Sequence, residues 1–367
     1  MPGGYHWPRQ NHRRGLDRWL IGLTAAFLTF GLVTLTSVSS AVAYQNYNDG
    51  YYFVKRQALA MVIGLLLFYI LSRWPAERLK KLSFWLLLLN VVLLLVVLFV
   101  GRSVNGSRAW IPLFGFNLQP SEILKITFIL YLANRLSDKR LGNRQKLLAF
   151  LAIYAVLAVL IMLQPDMGTL FVISLAAGVS LLVAGLPWRY LFGLAGVALL
   201  VMTVLVAVSS YQQYRFRCLL DPGFSPRDRC YQLNQSLIAI GSGGFWGRGL
   251  GESRQKFLYL PEVQNDFIFS VTTEEVGFLF GGLLIICYGL LFFRAYATAK
   301  AASDPFVRIG TMALAGAIVF QAILNLGGVM RFLPLTGVPL PFISYGGSAI
   351  ITDLAALGIL AGFSRET

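Results

Sequence analysis

The chain has 367 residues, 57% of them hydrophobic and only 13% charged, about half the roughly 25% charged share of a soluble domain. That composition excludes an ordinary soluble enzyme. The net charge of +15 would point to nucleic acid in a soluble protein, but here Lys and Arg sit in short stretches between long apolar runs. That is the pattern of a topology signal, so nucleic acid is excluded as a partner. Attraction to anionic lipid headgroups or an anionic lipid substrate adds to it.

The apolar residues form runs such as Leu86–Val100 and Leu147–Leu163. A run of about 20 spans a bilayer, and a chain in lipid must satisfy its own backbone polar groups, so the runs predict helices. The expected fold is all-α: one polytopic transmembrane domain over 1–367, with a tail at 1–17. Ten spans are expected at about 18–40, 55–73, 82–100, 120–136, 147–164, 167–185, 190–208, 271–294, 308–328 and 346–363. The first run, Leu20–Val38, is too long for a signal h-region and reads as a retained helix. An even number of spans puts both termini on one side. Groups such as Arg73, Arg78, Lys80, Lys81 and Arg135, Lys139, Arg140, Arg144, Lys146 make that side cytoplasmic. The opposite short loops hold only Lys55, Arg56, Arg102, Arg108 and Arg331. A long polar, Gly-rich loop at about 209–270 then lies outside, with Leu237–Ile240 and Phe257–Leu260 at the interface or re-entering the bundle.

Taken in chain order, the polar signals are sparse. His6 and His12 fall in the tail, so acid–base chemistry must come from carboxylates. Pro120 suits the first turn of the fourth span. Glu122 and Lys125, three apart, share a face of that helix. They form either a mutual ion pair or a pair that also positions a catalytic carboxylate or a substrate phosphate. Asp166, in the turn Gln164-Pro165-Asp166-Met167-Gly168, either caps the sixth helix or faces substrate. Cys218 and Cys230, 12 positions apart in the outer loop, are either a disulfide, which an oxidising exterior permits, or two free thiols. Cys287 lies in a span as a small apolar residue. Glu274 and Glu275 are expected to begin the eighth span. Ionisable groups at membrane depth are costly and default to functional roles, which selects Glu122, Asp166, Asp266, Glu274 and Glu275. Asp353, inside the last span, reads as a buried hydrogen bond to a neighbouring helix.

Several segments together carry a resemblance. They are Asn105-Gly106-Ser107-Arg108-Ala109-Trp110, Gln119-Pro120-Ser121-Glu122, Gln164-Pro165-Asp166, Gly247 through Glu262, Asp266-Phe267-Ile268-Phe269, Glu274-Glu275-Val276-Gly277 and Pro339 through Ser348. In this order the chain resembles the SEDS family (shape, elongation, division, sporulation). Gly249-Leu250-Gly251-Glu252-Ser253-Arg254-Gln255-Lys256 is similar to the FtsW-like division branch more than to the RodA-like elongation branch. The chain departs from the pattern at Gln264-Asn265, where the family often has His-Thr, and at Asp353.

The resemblance implies a multi-pass protein of the bacterial inner membrane, at the division septum. Its implied substrate is lipid II and its implied partners are a class B penicillin-binding protein and other divisome membrane proteins. The implied reaction joins two lipid-linked disaccharides: the 4-hydroxyl of one attacks the anomeric carbon of the other, and polyprenyl pyrophosphate leaves. Asp266 matches the family's essential Asp. It is either the general base or a ligand of a divalent cation, Mg²⁺ or Mn²⁺, with no cofactor certain. Arg56, Arg108, Arg254 and Lys256 are phosphate contacts or ordinary interfacial cations. Glu275 and Asp166 support the site. A transporter that flips the same lipid is the alternative, but it needs charges along a path through the midplane, whereas these carboxylates cluster outward, Asp353 excepted.

Overall fold

The computed structural model describes residues 15, 17–104, 107–113, 116–221, 223–225 and 230–367. The tail residues His6, Arg9, His12, Arg13 and Arg14, the motif residues Asn105 and Gly106, and Asp228 lie outside the described residues. Thirteen helices are described: α1 (Arg18–Tyr47), α2 (Tyr52–Leu71), α3 (Ala76–Val100), α4 (Pro120–Ser137), α5 (Asn143–Met162), α6 (Met167–Val183), α7 (Trp188–Val208), α8 (Ser210–Leu220), α9 (Tyr231–Gly243), α10 (Ile268–Val276), α11 (Phe278–Ala301), α12 (Pro305–Val329) and α13 (Gly347–Ser364). Eight of them are long and apolar enough to cross a membrane. The other two expected spans are also helices. α6 is an apolar helix of 17 residues, and the 18 residues of α4 include the buried charges Glu122 and Lys125. The protein is an all-α, multi-pass membrane protein.

Burial separates the helices by role. α12 and α13 are mostly enclosed by their neighbours, whereas α7 has no fully buried side chain among its described residues and meets the core only through partly buried ones such as Leu191 and Leu194. In lipid an exposed apolar side chain is at home, so α7 needs no partner to be stable. Gly64 and Gly358 let α2 and α13 approach closely. A Cβ on Gly358 would stand 2.7 Å from the Phe68 backbone, and small residues at helix contacts are how membrane helices pack.

Three features differ from the sequence expectation. The run expected to span at 271–294 is broken. Gly277 adopts φ +83°, and a Cβ there would collide with the Phe245 carbonyl. The spanning helix is therefore α11, and Glu274 and Glu275 belong to the separate, buried α10. Secondly, the long loop holds two helices, α8 and α9. Thirdly, a small sheet joins α3 to α4: β1 (Arg102–Val104), β2 (Ser107–Leu113) and β3 (Phe116–Leu118), in the antiparallel order β1-β2-β3. Val104 pairs with Ser107, and Ile111 with Leu118. Aromatic and β-branched residues in Ala109-Trp110-Ile111 favour extended backbone, but strands this short carry no readable period.

Candidate functional site

The motifs around Gln119, Asp166, Asp266 and Pro339 to Ser348 are far apart in sequence and meet at one end of the bundle. Asp266 lies just before α10 and is half-buried. Its segment is pinned to the loop 336–346 by backbone contacts. Tyr345 N donates to Gln264 O at 2.8 Å and Ser344 Oγ donates to Asn265 O at 2.6 Å. Asn325, on α12, donates to both Asp266 O at 3.0 Å and Val338 O at 2.9 Å. Gly337 takes φ +74° beside the carboxylate, where its ideal Cβ position lies 3.6 Å from Asp266 Oδ2. Burial pushes the Asp266 carboxyl up to about 6. The neighbouring Glu262 pushes the same way, and Arg215 on α8 opposes both. A carboxylate tuned to this range is suited to accept a proton near neutral pH.

Two further walls come from α2 and α6. Gln57 Nε2 donates to Ser344 O at 3.1 Å, and Gly346 N donates to Gln57 Oε1 at 3.2 Å. One residue earlier, half-buried Arg56 lies over the Tyr52 ring at 4.6 Å, with its charge acting on Tyr345. Arg56 therefore stands at the same end as Asp266. Asp166 caps α6 by accepting from Thr169 N at 3.2 Å, and it also accepts from Ser121 Oγ at 2.7 Å and Gln119 Nε2 at 3.1 Å. It ties α6 to α4. Close by, Gly168 abuts the 336–338 segment, where a Cβ would stand 2.5 Å from Val338 Cγ1. Arg108, on β2, is exposed.

Glu122 and Lys125 form an ion pair of 2.6 Å in the interior, about 3% and 5% exposed. Lys125 also donates to Gln321 Oε1 at 2.5 Å, and Gln321 Nε2 donates onward to Pro339 O at 2.9 Å. The pair is thus connected to the loop beside Asp266. It lies buried inside the bundle.

The expected phosphate contact at Lys256 needs correction. Its ammonium is buried, pairs with Glu275 Oε1 at 3.0 Å and donates to Gly251 O at 2.5 Å. Glu275 also accepts from Ser37 Oγ on α1 at 2.6 Å. Beside it, Glu274 accepts from Ser253 Oγ at 2.5 Å and from the backbone amides of Arg254 and Gln255, each at 3.3 Å. The run Gly249 to Lys256 is therefore a lid wrapped on two buried carboxylates. Its Lys is spent internally, because an isolated buried charge costs several kcal/mol. Arg254 keeps its side chain exposed. Cys218 and Cys230 form a disulfide with Cα atoms 5.5 Å apart, joining α8 to the start of α9.

Reading the sequence missed Gln57, Gln321, Asn325, Ser344 and Arg215. The first three are polar residues inside apolar runs, a signal that was present. Among the described residues no group of three His, Cys, Asp or Glu gathers into a metal cluster. Glu262 is the carboxylate whose charge acts on Asp266.

Comparison with known proteins sets this geometry in context. The FtsW/RodA/SpoVE family model, described as a cell cycle protein, matches residues 18–367. The chain is 34% identical over 367 aligned residues to a probable peptidoglycan glycosyltransferase FtsW of Hydrogenovibrio crunogenus, covering 98% of this chain and 94% of that one. It is 37% identical to the stage V sporulation protein E of Bacillus subtilis, covering 95% and 97%. Among solved structures, a chain described under the structural coordination of polymerization and crosslinking by a peptidoglycan synthase complex is similar, with TM-score 0.79 and 33% identity over 95% of this chain and 98% of that one. The rod shape determining protein RodA of Thermus thermophilus gives TM-score 0.71 at 33% identity, over 95% and 97%.

Proposed function

The chain belongs to the FtsW/RodA/SpoVE family of cell cycle proteins, and from that premise we propose that it is a peptidoglycan glycosyltransferase that polymerises lipid II into glycan strands during septal wall synthesis. The observation that carries the reading is the end of the bundle around Asp266. There a carboxylate tuned to about 6 stands among segments from α2, α12 and the 336–346 loop.

In the proposed reaction, Asp266 accepts the proton of the attacking sugar 4-hydroxyl. The C–O bond to the anomeric carbon forms as the bond to pyrophosphate breaks, with inversion. The leaving polyprenyl pyrophosphate needs positive charge as it departs. Arg56, Arg108 and Arg254 are the cations on accessible surface that can supply it. Lys256, Glu275, Asp166, Glu122 and Lys125 hold the walls. Asp266 and Glu262 are the carboxylates that would hold Mg²⁺ or Mn²⁺, hard cations that take oxygen ligands and substrate phosphates. An ion bound there would supply further neutralisation of the leaving group.

The protein sits in the bacterial inner membrane at the septum, with both termini cytoplasmic and the 209–270 segment outside. It works with a class B penicillin-binding transpeptidase and other divisome membrane proteins. An elongation-type role is the second reading, supported by the likeness to RodA. The test is depletion of the chain in its own cell. Septation failure with intact elongation supports the division role, whereas rounding of rods with continued septation supports the elongation role.

A further inference from the structure

Asp353 takes no part in the chemistry above, yet it is a carboxylate inside a membrane helix, 2% exposed. Such a group is retained only against a substantial cost. Its surroundings are specific. It lines a small cavity with Lys125 and Gln321, at the junction of α13, α4 and α12. An ammonium offers three donors. Lys125 is ion-paired with Glu122 and donates to Gln321, and its charge also acts on Asp353. The Asp353 Oδ2 atom has no hydrogen-bond partner among the described residues.

The same carboxylate is within reach of the Phe342 backbone amide. Phe342 is left-handed, with φ +65°, a strained conformation for a non-glycine residue that persists only where its surroundings hold it. Those surroundings come from several sides. The Phe342 ring stacks on Phe27 with centroids 5.0 Å apart. Tyr288 Oη donates to Pro341 O at 2.6 Å, and Gln321 Nε2 donates to Pro339 O at 2.9 Å. Beyond this turn the chain forms the wall of the Asp266 site, through Gly337 before it and through Ser344 and Tyr345 after it.

We infer that Asp353 is a positioning residue for the reaction at Asp266: its carboxylate balances Lys125 and holds the left-handed Phe342 turn, so that the 337–345 segment stands where it walls the site. The inference rests on Asp266 being the reacting carboxylate. Asp353 itself touches no substrate. Gln321 is the second arm of the same device, because it carries the Lys125 contact to Pro339.

The test uses the full chain in lipid nanodiscs with its transpeptidase partner, lipid II as substrate, and steady-state kinetics. Asp266→Asn is measured alongside. Asp353→Leu and Gln321→Met should each lower kcat by about 10- to 100-fold, the range that a small misplacement near a reacting group produces, with KM held within about twofold. The double variant should be no slower than the worse single one, since both cut one device. Asp353→Asn, which keeps an acceptor for the Phe342 amide, should recover most of the rate. The inference is overturned if Asp353→Leu keeps kcat within about twofold of wild type, if the two losses multiply, or if activity falls only in step with the folded fraction measured by thermal melting. An active Asp266→Asn would instead overturn the reading on which the inference rests.

Discussion

At Asp266 three influences act on one carboxylate: burial and the Glu262 charge raise it, and Arg215 lowers it, leaving it at about 6. A base works ionised, so kcat should fall as pH drops through about 6. Removing Glu262 removes a raising charge, so Glu262→Gln should move that acid limb to lower pH. Arg215→Gln should move it to higher pH. A kcat–pH profile with lipid II checks both directions, and a limb that stays fixed in both variants would refute the assignment. The linkage to stability has the opposite face. A carboxyl raised above its ordinary 3.8 favours the fold while protonated, and this contribution is fully present below about 3.8 and lost as pH rises through about 6. Asp266 was legible in the sequence because it lies in a motif that carries the family resemblance, where it matches the family's essential Asp. Its neighbours Gln264, Asn265 and Gly337 act through backbone contacts that side-chain chemistry does not announce. Lys256 was misread because its partner, Glu275, is 19 residues on and had been assigned to the head of a span.

The lid Gly249–Lys256 and the short helix α10 form one element, closed by buried carboxylates and by glycines. Gly247 has φ +80°, and a Cβ there would collide with the Glu275 carbonyl. Gly247→Ala should therefore displace the lid from α10 and remove activity, while the long helices keep their circular dichroism. Lys256→Met leaves Glu275 with Ser37 as its remaining partner. Breaking a buried pair from one side typically costs about 3–5 kcal/mol, read as a lowered melting temperature that Lys256→Met/Glu275→Gln should partly restore. The disulfide belongs to this scale too. Closing a loop of about 12 residues is worth about 3 kcal/mol in the chain-entropy view. Cys218→Ser/Cys230→Ser should leave α8 more open to proteolysis, with no change at α10. Long spans such as α3 and α5 were legible because apolar runs carry their own signature. The break at Gly277 was not, because Val271 to Phe278 reads as one continuous entry into α11, and only the glycine's left-handed backbone divides it.

Over the whole molecule, α1 to α7 and α11 to α13 correspond to the ten expected runs, with α10 split from the head of the eighth. The proposed orientation, with the Lys- and Arg-rich segments inside, puts Glu252 and Asp266 outside. A cysteine placed at 252 in intact cells, with Cys287 replaced by Ser, should react with a membrane-impermeant reagent. Protection there with labelling at 139 would reverse the topology. The long-range order of the site was not legible. Gln321 and Asn325 reach Pro339 and Val338 from another helix, and no local pattern predicts which polar residue of an apolar span turns inward to a loop. Fold and chemistry meet in the proposal that this chain polymerises lipid II at Asp266. It is tested most directly with purified chain and partner transpeptidase, crosslinking blocked by a β-lactam, and the glycan products of wild type and Asp266→Asn compared. General-base loss typically costs about 10²–10⁴-fold, so the wild type should build glycan strands and Asp266→Asn should build almost none, while still inserting in membranes and binding its partner; an Asp266→Asn protein that polymerises at close to the wild-type rate would contradict the account.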